Sequence, residues 1–276
     1  MTSRTLCTVE EALRSAAAAG PVLGIDTGGP RADLAVIAGG RVLAGASRSV
    51  TSHGAEVPEA VIELLRGARI TTSDLKAIAI GIGPGSFTGL RVGLSYAKGL
   101  AMATGCALIG VNSLDSLALA ALTEAPQPSG GSICVVLDAR KSEVYAALYR
   151  IGVDGLQKVV DDLVITLENL APHIGTDVLL VGDGKAEEAL SLAIGTSGRA
   201  QILGVERLRL RGTVVAALGA ARFVAGESDN VVTLQPLYVR SAEATFNSGS
   251  PNFGSDGKWS GRKKNSSFNT HPTTKN

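Results

Sequence analysis

The chain has 276 residues, of which 45% are hydrophobic and 18% charged, and its formal net charge is +1. This near-neutral charge argues against a chain-wide basic field that would attract nucleic acid. Three widely separated cysteines indicate free thiols in a reducing compartment. Since no apolar run approaches the roughly 20 residues that span a bilayer, we expect a cytoplasmic protein with an aliphatic α/β core and no membrane partner.

The first predicted element is a helix over residues 8–19. Thr8 and Glu11 form a capping box at its start, and Gly20-Pro21 ends it. We treat residues 1–21 as an N-terminal extension helix that docks on the surface of the domain behind it.

Residues 22–124 have the pattern of one α/β lobe. A buried strand is followed by two strands around Gly39-Gly40, a hairpin signal, and then by helices that alternate with strands. The predicted strands are 22–26, 32–37, 41–46, 76–80 and 107–111, and the predicted helices include 55–68 and 113–123.

A Gly-rich run from Gly81 to Ala101 reads GIGPGSFTGLRVGLSYAKGLA. A strand, a Gly-Pro turn and a helix N-terminus in succession are typical of a site on an α/β scaffold. Ser86 is interpreted as the N-cap of this helix and not as a nucleophile, since the spacing is not Gly-x-Ser-x-Gly. Small residues four apart on the helix predict a face that another helix approaches closely, with packing inside the protein itself as the alternative: Gly89, Gly93 and Ala97.

The pattern restarts after a Pro- and Gly-rich boundary at residues 124–131, which predicts a second lobe over residues 125–241. Its strands are predicted at 133–138, 144–150, 159–165 and 178–181, and its helices at 185–193 and 213–225. From residue 242 the composition turns to Ser, Asn, Gly, Thr and Lys, which predicts a disordered tail over residues 242–276.

Each half opens with a strand that ends in an aspartate, Asp26 in the first and Asp138 in the second. This duplication predicts two related lobes facing a cleft. Carboxylates are hard ligands for Mg²⁺, and Gly-rich turns suit phosphate oxygens. The alternative is that each aspartate only caps the turn after its strand. The candidate residues for a relic or weak nucleotide and Mg²⁺ cleft are Asp26, Thr27, Gly28 and Asp138.

The Gly81–Ala101 run resembles the signature of the TsaB (YeaZ) family, close to G-x-G-P-G-S-F-T-G-[LVI]-R-[IV]-G followed by A-[KQ]-G-L-A. The segment 138–145 resembles the family's D-A-R-x-x-E-V-Y, and 236–240 its P-x-Y-[LV]-R. The resemblance covers roughly residues 22–241. It implies an α/β fold of two ribonuclease-H-like lobes of the actin/hexokinase/Hsp70 (ASKHA) superfamily. The turn at 26–30 departs from the family's usual Asp-Thr-Ser/Ala-Thr.

The family resemblance implies a non-catalytic subunit of the complex that makes threonylcarbamoyladenosine in tRNA. Its expected partners are a TsaD-type catalytic paralogue and a TsaE-type ATPase. Without these partners the chain is expected to form a homodimer, and it is expected to contact tRNA only as part of the complex. No cofactor is assigned to the chain itself; ATP or ADP and Mg²⁺ belong to the assembly. The residues expected at the helical interface are His53, Val57, Val61, Leu64, Ser86, Phe87, Thr88, Gly89, Arg91, Val92, Gly93 and Ala97.

The histidines argue against a metal site and a metallopeptidase. In the resembled family the TsaD paralogue carries a His-x-x-x-His pair for its metal, whereas this chain has three scattered histidines, at 53, 173 and 271.

Two other classes of function stay open. The chain could be an independent Mg²⁺-dependent ATPase or kinase that uses Asp26 and Asp138, or a homodimeric structural protein.

Overall fold

The computed structural model describes residues 5–49, 53–174, 177–193, 200–209, 211–239, 252–253 and 259–260. Its helices are α1 (Val9–Ser15), α2 (His53–Gly67), α3 (Phe87–Thr104), α4 (Ser113–Glu124), α5 (Leu167–Leu170), α6 (Gly184–Ala193) and α7 (Arg211–Val224). Its strands are β1 (Thr5–Leu6), β2 (Val22–Asp26), β3 (Arg31–Ala38), β4 (Arg41–Ser49), β5 (Ala77–Gly83), β6 (Ala107–Asn112), β7 (Ser132–Arg140), β8 (Glu143–Gly152), β9 (Gly155–Thr166), β10 (Val178–Gly182), β11 (Gln201–Gly204), β12 (Asn252–Phe253) and β13 (Trp259–Ser260).

The first sheet has the strand order β4-β3-β2-β5-β6. Strand β3 is antiparallel to its neighbours β2 and β4, whereas β5 and β6 run parallel to β2. Gly39 and Gly40 join β3 to β4 with φ values of +57° and +72°, so the predicted hairpin is confirmed with the backbone that glycine favours.

The second sheet repeats this order as β9-β8-β7-β10-β11, with β1 added beside β9. Its first three strands are again antiparallel, and β10 and β11 again run parallel to β7. Two sheets with the same order confirm the prediction of two ribonuclease-H-like lobes.

The central strands of both sheets are covered on both faces and are therefore nearly continuous apolar runs, whereas the edge strand β4 is largely exposed. On the first sheet, Leu23 and Ile25 pack toward α2 and α3, while Val22 packs toward α1 and α7. On the second sheet, one face packs against α4 and the other against α5 and α6. Helices α4 and α7 therefore lie between the sheets.

From α7 onward, the described part of the chain returns to the first sheet. Helix α7 packs so closely on β2 that a Cβ at Gly24 would lie 2.4 Å from the carbonyl oxygen of Gly212. Residues 229–239, here called the C-terminal strap, then run over the first lobe. The Asp229 N–H donates to Leu108 O at 2.8 Å, and the Leu237 N–H to Ile82 O at 2.8 Å. The division into lobes 22–124 and 125–241 stays a prediction.

A buried polar cluster joins α4 to the second sheet. The Lys158 ammonium donates to Asp115 Oδ1 at 2.8 Å and also to Asp162. The Tyr149 hydroxyl donates to the same oxygen of Asp115 at 2.8 Å, and the Asn112 amide donates to Asp162. Burial alone would lower the pKa of Lys158, but the two carboxylates raise it above its ordinary value. The cluster thus fixes the start of α4 against β8 and β9.

At the N-terminus, the Thr8 hydroxyl accepts from the Glu11 N–H at 3.2 Å, which confirms Thr8 as the cap of α1. Ala12 and Ala16 are buried in the core that α7 also enters. The predicted disorder at 242–276 falls on residues outside the described ones, apart from the four residues of β12 and β13.

Candidate functional site

A cleft of about 560 Å³ opens between the two lobes. One wall comes from the β2–β3 turn and the start of α3, and the other from the β7–β8 turn and the end of β10. Its lining includes Gly28, Gly29, Pro84, Ser86, Phe87, Asp138, Arg140, Tyr145, Asp183 and Arg211.

The signature segment builds the first wall. The Ser86 hydroxyl accepts from the Gly89 N–H at 3.3 Å, which confirms Ser86 as the N-cap of α3. The Ser86 N–H donates to Gly28 O at 2.8 Å and so ties this loop to the β2–β3 turn. A Cβ at Gly85 would lie 2.6 Å from that same oxygen, which explains the glycine at this position.

Asp26 lies beneath the cleft and not in it. Its side chain is 0% exposed. Its Oδ1 accepts from the Gly28 N–H at 2.8 Å, and its Oδ2 accepts from Arg211 Nη2 at 3.0 Å. Thr27 is also buried and donates its hydroxyl proton to Gly89 O at 2.8 Å. Of the four residues predicted for the cleft, only Gly28 and Asp138 line it.

Arg211 is the partner that the sequence analysis missed. Besides Asp26, it pairs through Nη1 with Asp33 Oδ2 at 3.2 Å. Burial raises the pKa of Asp33 and outweighs the opposing effect of Arg211. Burial alone would lower the pKa of Arg211, but Asp26 and Asp33 raise it. Since Arg211 is 185 residues from Asp26 in the chain, no local pattern could have paired them.

Asp138 has a different environment on the opposite wall. Its Oδ1 accepts from the Arg140 N–H at 2.8 Å, and its own N–H donates to Asp183 Oδ2 at 2.9 Å. The Arg140 guanidinium reaches it only at 4.0 Å and is 89% exposed. Asp138 therefore stays open to solvent, and Asp183 is a second carboxylate of this wall that the sequence analysis did not name.

The prediction that Gly89, Gly93 and Ala97 form a face for a partner helix is wrong, because these residues pack inside the protein itself. All three are buried, and a Cβ at Gly93 would lie 2.1 Å from Thr27 Oγ1. The small residues let α3 approach β2 within the first lobe, so they are not available to another helix.

Helix α2 also turns its predicted contact residues inward. Val57, Val61 and Leu64 are buried, and Val61 and Leu64 pack in the core that contains Leu23. Their assignment to an exposed interface is therefore wrong. His53 begins α2, but its side chain lies outside the described part of the chain.

The outer face of α3 keeps the other predicted residues accessible. Ser86, Thr88 and Arg91 are exposed and Val92 is half-buried. The Arg91 guanidinium lies 3.8 Å from the centroid of the Phe87 ring, whose residue is 57% exposed. It also donates to the Tyr238 hydroxyl from Nε at 3.2 Å and Nη2 at 3.1 Å.

This exposed surface is called the α3–strap face. Its residues are Phe87, Arg91, Lys98 and Met102 of α3 and Val232 and Tyr238 of the strap. The Lys98 ammonium donates to Val232 O at 3.0 Å, so the strap follows α3 for about two turns between Arg91 and Lys98. Met102 is 71% exposed and Val232 79% exposed. In the described ranges no helix is long and apolar enough to cross a membrane.

Comparisons with known proteins agree with the sequence signature. A family model described as "TsaD: tRNA N6-adenosine threonylcarbamoyltransferase" matches residues 46–193. The Bacillus subtilis tRNA threonylcarbamoyladenosine biosynthesis protein TsaB is 30% identical over 70% of this chain and 82% of its own length. An uncharacterized protein of Mycobacterium tuberculosis is 37% identical over 48% of this chain, and the match spans only 60% of that relative.

The solved structure of YeaZ from Pseudomonas aeruginosa has the same fold. It superposes with a TM-score of 0.68 at 24% identity, over 80% of this chain and all of that one. Together with the TsaD-type domain and the match to most of the B. subtilis protein, this shows that the chain belongs to the TsaB (YeaZ) family.

Proposed function

We propose that this chain is the TsaB-type subunit of the assembly that forms threonylcarbamoyladenosine in tRNA. It binds and orders a TsaD-type catalytic subunit and does not itself transfer the threonylcarbamoyl group. A TsaE-type ATPase joins the assembly, and tRNA is met only through the complex, in keeping with a net charge of +1. In this proposal ATP or ADP and Mg²⁺ act in the assembled complex. The family membership supports the identity of the partner.

The observation that carries the proposal is the α3–strap face. It brings two exposed aromatic rings and an arginine into contact, the residue types that dominate the energy of protein–protein interfaces. Exposed Met102 and Val232 extend it with apolar surface. Exposed apolar side chains concentrated along one helix and its neighbouring segment are typical of an interaction site.

The same face supports a homodimer of the chain when it is alone. An interface of standard size buries about 1,600 Å² in total, which is on the scale of one helix and an adjoining strap on each partner. Self-pairing and partner binding would then compete for this surface.

The test is size-exclusion chromatography with light scattering, and calorimetry, on this chain and the TsaD-type protein of the same organism. We expect a one-to-one complex. Replacing both Phe87 and Met102 by Ser removes exposed apolar contacts and should weaken the complex about tenfold or more. Val153→Ser is the matched control, because Val153 is 88% exposed on the hairpin between β8 and β9 of the other lobe.

Absence of a complex would overturn the proposal, as would equal losses in the double variant and the Val153 control. If the chain then turned over ATP alone, it would be an independent ATPase or kinase. If it formed only a stable homodimer, the structural class would be supported.

A further inference from the structure

The fold family implies a hydrated Mg²⁺ held by strand-end aspartates, so the residues present can be tested for fit. A carboxylate ligand needs an oxygen that the metal or its waters can reach. Asp26 is 0% exposed, and each of its oxygens already accepts a hydrogen bond, one from Gly28 N and the other from Arg211. Among the described residues, no three His, Cys, Asp or Glu side chains are grouped as metal ligands would be. The residues present do not fit the metal.

A cationic side chain of the protein already pairs with the buried aspartates of the first lobe. The Arg211 guanidinium bridges Asp26 at 3.0 Å and Asp33 at 3.2 Å, and its side chain is only 4% exposed. Two buried carboxylates without a cation would be strongly destabilised, and guanidinium is positively charged at every pH that proteins meet. Helix α7 of the same chain therefore supplies the positive charge that the aspartates of the first lobe need.

The position of Arg211 is fixed by the backbone around it. Its residue opens α7, which is pressed on β2 until a Cβ at Gly24 would meet Gly212 O at 2.4 Å. A Cβ at Gly29 would lie 2.6 Å from Arg211 Nη1, so the β2–β3 turn covers the guanidinium. Its Nε has no hydrogen-bond partner among the described residues. A divalent cation would have to displace a charged side chain that is held by two buried ion pairs.

We infer that Arg211 is the permanent cation of the first lobe and that it occupies the place a Mg²⁺ would take between Asp26 and Asp33. The cleft above it then holds no metal through its first-lobe carboxylates. A magnesium nucleotide is therefore not a ligand of this chain at Asp26. The inference goes beyond the proposed function, and partner binding does not depend on it.

The test compares divalent-cation binding by five proteins: wild type, Asp26→Asn, Arg211→Gln, Asp26→Asn/Arg211→Gln, and Arg140→Gln as an exposed-arginine control. Mn²⁺ binding is followed by the loss of its free electron paramagnetic signal, and Tm is measured with and without millimolar Mg²⁺. We expect no Mn²⁺ site at Asp26 and no Mg²⁺-dependent Tm in wild type or Arg140→Gln. Arg211→Gln should gain one Mn²⁺ and a Mg²⁺-dependent rise in Tm of about 2 °C or more, lost in the double variant.

Wild-type binding of Mn²⁺ that disappears in Asp26→Asn would overturn the inference. A folded Arg211→Gln variant with no response to either cation would also overturn it, because the aspartates would then not form a cation site. If Arg211→Gln does not fold, the comparison of wild type with Asp26→Asn decides alone, since absence of Mn²⁺ binding to both supports the inference.

Discussion

The two lobes share one strand order but treat their strand-end aspartates in opposite ways. Asp26 is fully buried and paired with Arg211, whereas Asp138 is partly exposed and bound mainly by the backbone of its own turn. The difference arises because α7 crosses back to the first sheet and delivers a buried arginine there. Repetition of a fold therefore does not repeat the electrostatics of its site, which depend on side chains that other segments contribute.

The largest effect should come from removing the buried cation of the first lobe. Arg211→Met leaves Asp26 and Asp33 buried without their partner, which should cost about 3–5 kcal/mol of the free energy of unfolding. Urea denaturation at neutral pH measures it. Arg140→Met is the second-lobe control and should change stability by less than about 0.5 kcal/mol, because Arg140 is 89% exposed. Equal losses in the two variants would remove the contrast between the lobes.

The second lobe has its own buried cation, placed away from Asp138. Lys158→Met leaves Asp115 and Asp162 facing each other and should cost about 3 kcal/mol, the lower end for a broken buried pair, since Lys158 and Asp162 are 9% and 10% exposed. The same denaturation experiment measures the loss. The exposed pair of Lys185 and Glu188 provides the control, and Lys185→Met should be nearly neutral. A loss below that of Lys185→Met would show that the cluster does not hold α4 in place.

Two glycines of α3 lie on opposite faces of the helix, Gly93 on the inward face and Gly99 on the outward face, so substituting each of them compares the two faces. Gly93→Ala would place a methyl group 2.1 Å from Thr27 Oγ1 and should cost about 1–3 kcal/mol. Gly99→Ala meets nothing within 4 Å and should stabilise the protein by up to about 1 kcal/mol, the difference in helix propensity. Thermal and urea unfolding of both variants test this. Stabilisation by Gly93→Ala would mean that this face of α3 is open.

Local patterns predicted the parts of the fold that local physics decides. Apolar runs marked the strands, Gly39-Gly40 marked the hairpin, and Ser86 marked the start of α3. Strand β11 was missed because its four residues are partly exposed and lie at the edge of the sheet, without a continuous apolar run.

The errors at the site have one physical cause. The spacing of Gly89, Gly93 and Ala97 shows that something approaches α3 closely, but spacing cannot tell a partner from the protein's own β2. The pairing of Asp26 with Arg211 likewise depends on a contact between distant segments. The sequence drew attention to α3, Asp26 and Asp138, but only the tertiary structure shows which way each of them faces.

The smallest effect concerns how pH changes the stability that comes from Arg211 and its two buried partners, Asp26 and Asp33. Burial raises the folded-state pKa of Asp33 above its ordinary value of 3.8. The folded protein therefore binds this proton more tightly than the unfolded chain does. The contribution of Asp33 to stability should be complete below the ordinary pKa of 3.8, and it should be lost as pH rises through the higher pKa of the folded state. In Asp33→Asn this dependence disappears, so the difference in urea midpoint between wild type and variant should fall as pH increases from the acid range toward neutrality.

Asp74 provides a control of opposite sign. The Thr71 backbone N–H donates to its carboxylate and lowers its pKa below the ordinary value of 3.8. Its contribution is present above that value and is lost as pH falls, so the midpoint difference between wild type and Asp74→Asn should rise with pH. Parallel pH slopes for the two variants would contradict a buried Asp33. Opposite slopes would show that burial leaves Asp33 of the first lobe poorly compensated even beside Arg211.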